Sequence, residues 1–231
     1  SWPAPSTTTS RVRSGAARIP LSSSDRYGAM TRREKSASTT VGYVSALLCA
    51  LFALTYVVLQ IGEWLGLLGS AGGPGSASTP AGLVLLLTPS LLLAPSFVAL
   101  MASVHDQAPD ARRIWSQLGL SFATVYAVLV GIVYFVQLTF VVPRMMEGRT
   151  EGIGFLLFEP FDSFLYSVDL LGYSFMSLAT LFAAKVFTGD GPERLARGFL
   201  LANGLLLPFL ALQLYVPPLI WVASLWAVTF P

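Results

Sequence analysis

"VGYVSALLCALFALTYVVLQIGEWLGLLG", residues 41–69, decides the fold. A helix needs about 20 apolar residues to cross a hydrocarbon core about 30 Å thick. This run is longer and carries one charged residue, Glu63. It lacks the strict alternation of a barrel strand, and backbone groups in lipid must bond within the segment, so a transmembrane helix is expected.

Similar runs follow, separated by short polar stretches. The spacing predicts spans at about 41–69, 81–104, 114–142, 164–187, 198–214 and 217–231. The last is short for an upright crossing and must tilt or lie at the interface. The expected fold is therefore all-α, a polytopic transmembrane bundle of about six spans. Composition agrees, since 54% of residues are hydrophobic and only 11% charged, against about 25% charged in soluble domains. Pro89 and Pro95 in the second span, and Asn203 and Pro208 in the fifth, predict kinked or broken helices. These paired interruptions, "LLLTPSLLLAP" and "LLANGLLLPF", are also what an inverted repeat of two three-span halves would show.

Residues 1–40, rich in Ser, Thr, Ala and Arg, read as a disordered basic tail. "MTRREK" at 30–35 resembles a native start at Met30, with the residues before it an upstream extension, a processed leader or a transit peptide. Of the 14 basic residues, all but Arg144 and Arg149 fall before the first span, in "HDQAPDARR" or around "TGDGPERLAR". The positive-inside rule then puts the N-terminus in the cytoplasm and the connection bearing Glu147, Glu151, Glu159 and Asp162 outside. Arg112, Arg113, Arg194 and Arg197 are expected to anchor helix ends at the headgroups.

Several functions are poorly supplied by these residues. The basic tail has no aromatic interleaving, so no nucleic-acid partner is expected. Cys49 alone cannot form an intrachain disulfide, and with the single histidine, His105, it cannot build a His/Cys zinc or bis-His haem site. A metal on "HDQAPD" would require that turn to fold back on itself. No catalytic residue, metal or cofactor is expected. The partners expected are the lipid bilayer and a second copy of the chain or a membrane-complex subunit.

The informative residues are polar ones inside the spans. Tyr166, Asp169 and Tyr173 fall at i, i+3 and i+7, one stripe of a helix. Tyr56, Gln60 and Glu63 form a similar stripe in the first span, and Tyr134 shares a face with Tyr126 and Gln137 in the third. A charge deep in hydrocarbon costs about 2.5–3.5 kcal/mol, so such groups usually face a bundle interior or a water-filled cavity. Tyr56, Gln60, Glu63, Tyr134, Gln137, Asp169 and Tyr173 would then line an outward-facing pocket for a cation, an amine or a proton relay. The alternative is structural: Asp169 and Glu63 lie near helix ends, reach headgroup water and favour the helix dipole or interhelical bonding.

"RRIWSQLGLSFATVYAVLVGIVYFVQLTFVVP", 112–143, and "FLLANGLLLPFLALQLYVPPLIWVASLWAVTFP" near the end resemble uncharacterised multi-pass membrane proteins of bacteria and archaea. The resemblance implies a helical integral membrane protein of a prokaryotic plasma (inner) membrane and no particular activity. Three functions stay open: binding or transport of a small molecule or ion, an accessory or scaffold subunit, and a lipid-modifying enzyme using acids alone.

Overall fold

A computed structural model describes residues 23–230, with side chains from residue 37 onward. The chain divides into two units, 1–36 and 37–231. Of the first, only the helical backbone of 23–36 is described; the part of the expected tail and leader at 1–22 lies outside the described residues. Helix α1, Ser23–Trp64, begins within the stretch expected to be disordered. Adding residues to an existing helix avoids the cost of nucleation, and the Ala, Arg, Glu and Lys here are good helix formers.

Among the described residues the second unit is entirely helical, without strands. Five segments are long and apolar enough to cross a membrane: Ala37–Trp64, Pro80–Gln107, Asp110–Met146, Phe164–Ala183 and Pro192–Leu212. The protein is a membrane-embedded helical bundle. After α1 come α2 (Pro80–Gln107), α3 (Arg113–Val136), α4 (Val142–Met146), α5 (Phe164–Ala183), α6 (Pro192–Gly204) and α7 (Leu207–Leu212). The expected sixth span is a shorter apolar stretch, Pro217–Thr229, containing α8 (Ile220–Ala223) and α9 (Trp226–Thr229).

Helix ends follow local chemistry. The apolar run at 41–69 stops being helical at Trp64, because Gly66 takes φ +75° and turns the chain. Thr79 caps α2 by accepting from the Gly82 amide at 3.1 Å, and Ser163 caps α5 through the Tyr166 amide at 3.2 Å. Glu193 accepts from the Thr188 and Gly189 amides, closing the turn before α6.

Of the two outcomes expected at Pro89 and Pro95, a kink or a break, α2 shows no break and runs continuously through both. Hydroxyls flank each gap in the hydrogen-bond ladder: Thr88, Ser90 and Ser96 donate to the carbonyls of Val84, Leu86 and Leu92. These bonds go to carbonyls next to those of Leu85 and Leu91, which Pro89 and Pro95 leave without a helical donor. In the fifth segment the helix does break, between Gly204 and Leu207, flanked by Asn203 and Pro208.

The core forms where α3 packs on α5. Gly119 lies against Ala179 and Ala183, and Gly172 against Val130. Outside these close approaches, Trp115, Phe182, Phe122 and Phe175 stack in a ladder with ring centroids 5.5–6.0 Å apart. One face of α1 leaves Leu47, Leu51, Leu54, Val58 and Ile61 exposed, as lipid contact requires. The turns before α3 and before α6 lie at the same end, since Arg112 donates to the Val186 carbonyl and to Thr188. Arg113 is near Asp110 at 3.7 Å, Arg194 is exposed and Arg197 half-buried. We call this the basic end and the opposite one, carrying Glu147, Glu151, Glu159 and Asp162, the acidic end.

Near the basic end, Thr180 donates to Asn203 Oδ1 at 3.0 Å, and Asn203 Nδ2 donates to Thr229 at 3.4 Å. Asn203 thus joins α5, α6 and α9. A double-mutant cycle of Thr180→Val and Asn203→Leu is expected to give a coupling of about 0.6 kcal/mol, the average for membrane interhelical bonds. Additive effects in detergent unfolding would contradict this pairing.

Candidate functional site

A cavity of about 330 Å³ lies between the helices under the acidic-end loops. It is at the lower end of the 300–1,000 Å³ range of small-molecule sites. Tyr56, Gln60 and Glu63 enter it from α1, Tyr134 from α3, and Tyr166, Asp169 and Tyr173 from α5. Two of the stripes read from the sequence, with Tyr134 of the third, therefore line one cavity. Leu83, Leu86 and Leu87 of α2 and Leu210 of α7 supply apolar wall. Gly73, Pro74, Ser76 and Ser78 of the first loop, with Phe158 and Pro160 of the second, lie over it.

Each stripe reaches the cavity for a local reason. The helical spacing of 56, 60 and 63 keeps those side chains on the one face of α1 turned from lipid. Within it, the Tyr56 hydroxyl donates to Gln60 Oε1 at 2.8 Å. Glu63 is only 2% exposed, and its Oε2 would lie 3.1 Å from a Cβ at Gly82, in the first turn of α2. The partial positive charge of that N-terminus favours a carboxylate there. A side chain at 82 would push the carboxylate away, so glycine makes room for it.

Asp169 is 7% exposed on α5. Beside it stands the Tyr134 hydroxyl, which is also 3.1 Å from the hydroxyl of Tyr173. Both oxygens of Glu63 and Oδ1 of Asp169 are buried without a hydrogen bond to protein. Buried polar atoms are nearly always paired, so these exceptions call for an explanation. Neither carboxylate behaves as the headgroup-level residue that proximity to a helix end suggested.

Gln137 does not join the others. The backbone of Gln137–Val141 forms a π turn, and the Gln137 amide donates to the Leu156 carbonyl at 2.6 Å. Gln137 keeps the helical register with Tyr134, its backbone N–H still bonding the Val133 carbonyl, but its side chain is taken up by Leu156 and does not line the cavity. It ties α3 to the connection between α4 and α5.

Two cavity residues went unread in the sequence. Gln213, 2% exposed at the end of α7, is an amide in an apolar run, and the cost of burying it was the available signal. Trp226 reads as an interfacial aromatic but packs inside, perpendicular to Tyr56 and Tyr173 at centroid distances of 5.7 and 5.6 Å. Its indole nitrogen has no hydrogen bond to protein.

His105 lies at the basic end, its Nδ1 2.9 Å from Ser116 Oγ, and does not line the cavity. Among the described residues, no three His, Cys, Asp or Glu side chains cluster to hold a metal ion. Compared with protein-family models, curated proteins and solved structures, the chain matches none of them.

Proposed function

We propose that this membrane protein binds a small molecule or ion in the cavity beneath its acidic end and carries it across a prokaryotic plasma membrane, with that end outward. The supporting observation is that Glu63 and Asp169, with carboxylate oxygens unpaired by protein, both line one cavity of ligand size. Burying such oxygens without partners costs about 1–3 kcal/mol each. Retaining that cost is physically sensible where a ligand is bound.

A second reading, an accessory subunit of a membrane assembly, draws on the bonds of Tyr134 to Tyr173 and of Asn203 to Thr180 and Thr229. Those contacts stiffen a bundle without needing a ligand. They leave the two carboxylates unexplained, so the binding protein is preferred.

Solvent access provides the test. In a Cys49→Ala background reconstituted into liposomes, cysteines are placed at Gln60, in the cavity, and at Val58, which is 68% exposed on the lipid side of the same helix. Glu151→Cys in the acidic-end loop is the exposed reference. Thiolate is the reactive form and a charged side chain is disfavoured in hydrocarbon by about 2.5–3.5 kcal/mol, so Val58→Cys should react roughly 100-fold more slowly with a membrane-impermeant reagent. Gln60→Cys is expected to react at a rate near that of the reference. A Gln60→Cys as inert as Val58→Cys would remove the pocket from consideration.

A further inference from the structure

We propose that the ligand is a small organic cation, an amine or quaternary ammonium with an apolar body. This rests on the pocket reading above and adds the chemical class.

Charge comes first. Glu63 and Asp169 are the acids on the cavity wall, and no Lys, Arg or His among the described residues lines it. An anionic ligand would meet repulsion with no counter-charge. A neutral apolar ligand would seal three carboxylate oxygens away from water without giving them a partner, which is costly. A cation supplies both the donors and the counter-charge that those oxygens lack.

Wall chemistry separates organic from inorganic cations. Calcium takes six to eight oxygen ligands and magnesium an octahedron. Here only two carboxylates among the described residues line the cavity, and the Gln60 oxygen already accepts one hydrogen bond, from Tyr56. Most of the remaining wall is aliphatic and aromatic. Tyr56 and Tyr173 stand perpendicular to Trp226, and Tyr166 adds another ring. Aromatic faces attract ammonium groups electrostatically, most strongly when desolvated. A cation with a hydrocarbon body satisfies the rings and the carboxylates together.

The approach has the same sign. Arg149 pairs with Glu147, and Arg144, stacked over Phe140 at 3.5 Å, keeps its charge, so four acids against two arginines leave the acidic-end connection at −2. A negative field over a low-dielectric cleft raises the local concentration of cations.

The test uses the Cys49→Ala, Gln60→Cys protein in liposomes. Labelling rates are compared for two methanethiosulfonates of similar size, one bearing trimethylammonium and one sulfonate, each divided by its rate with a free thiol in solution. The expected cation-to-anion ratio is about tenfold or more, the lower range of electrostatic focusing. In a Glu63→Gln, Asp169→Asn background the ratio should fall several-fold, keeping only the residual preference set by the acidic-end loop. Tetramethylammonium should slow the cationic reagent several-fold beyond an equal concentration of sodium chloride.

Equal rates for the two reagents with no slowing by tetramethylammonium would overturn the cation assignment while leaving a water-accessible pocket. No reaction with either, while Glu151→Cys reacts, would overturn the pocket itself. Should the doubly neutralised protein fail to fold, tetramethylammonium protection of the protein with both acids intact decides the matter.

Discussion

Gly204→Ala is expected to destabilise the bundle by about 1–3 kcal/mol, the usual cost of overpacking a filled interior. An alanine Cβ there would stand 2.7 Å from Leu181 Cβ and 3.0 Å from Leu181 Cα, far inside van der Waals contact. Because one of those atoms is backbone, no change of rotamer relieves the clash. α5 and α6 would have to separate, straining the Thr180 to Asn203 bond one residue away. At roughly 2–4 °C per kcal/mol for a chain of this length, the thermal midpoint in a fixed detergent should fall by several degrees. Gly131→Ala is the control, since a Cβ there meets nothing within 4 Å. It should be neutral or slightly stabilising, because alanine is the better helix former. Equal midpoints for the two variants would mean that the close approach at Gly204 does not hold.

The same close approaches show which parts of the fold a sequence can display. The long spans are legible because each lipid-exposed turn must be apolar and must satisfy its own backbone, and both demands are written residue by residue. The stripes of Tyr56, Gln60 and Glu63, and of Tyr166, Asp169 and Tyr173, are legible for a related reason: helical spacing fixes which side chains share a face. That the two faces would meet was not legible, because the rotation of each helix is set by packing. Gly204 and Gly172 take part in setting it, and they look like any other glycines in apolar runs.

Gln137 and Trp226 mark where the reading stops. Gln137 shares the helical register of Tyr134, but its amide bonds the Leu156 carbonyl of a distant connection, and no helical spacing announces such a partner. Trp226 belongs to a segment read as a span or an interfacial piece. In place, Trp226 and Phe230 stack at 5.2 Å, and Phe230 reaches Phe97 of α2 at 5.4 Å. Short apolar segments carry too few residues for composition to distinguish a lipid-facing location from one inside the bundle.

Asp169→Leu is expected to raise stability while lowering the cation selectivity of the cavity. The side chains are similar in size, Asp169 is 7% exposed, and its Oδ1 makes no hydrogen bond to protein. Removing an unpaired buried acceptor should recover about 1–3 kcal/mol. Tyr134 loses a neighbour but keeps the Tyr173 hydroxyl at 3.1 Å, so no new unpaired donor is left behind. Glu63→Met should gain at least as much, because both of its oxygens are unpaired and the α2 dipole offsets only about 0.3–1 kcal/mol of that cost. The direction separates the two functional readings. If the polar stripes are structural mortar for an assembly, both substitutions should lower the thermal midpoint. If they are a binding site, the midpoint should hold or rise as labelling selectivity falls, the exchange of stability for function typical of active and binding sites. The decisive result is therefore the sign of the midpoint shift for Asp169→Leu, measured beside its labelling ratio: a fall would favour the accessory subunit, and a rise with lowered selectivity would support a cavity that keeps buried carboxylates for its ligand.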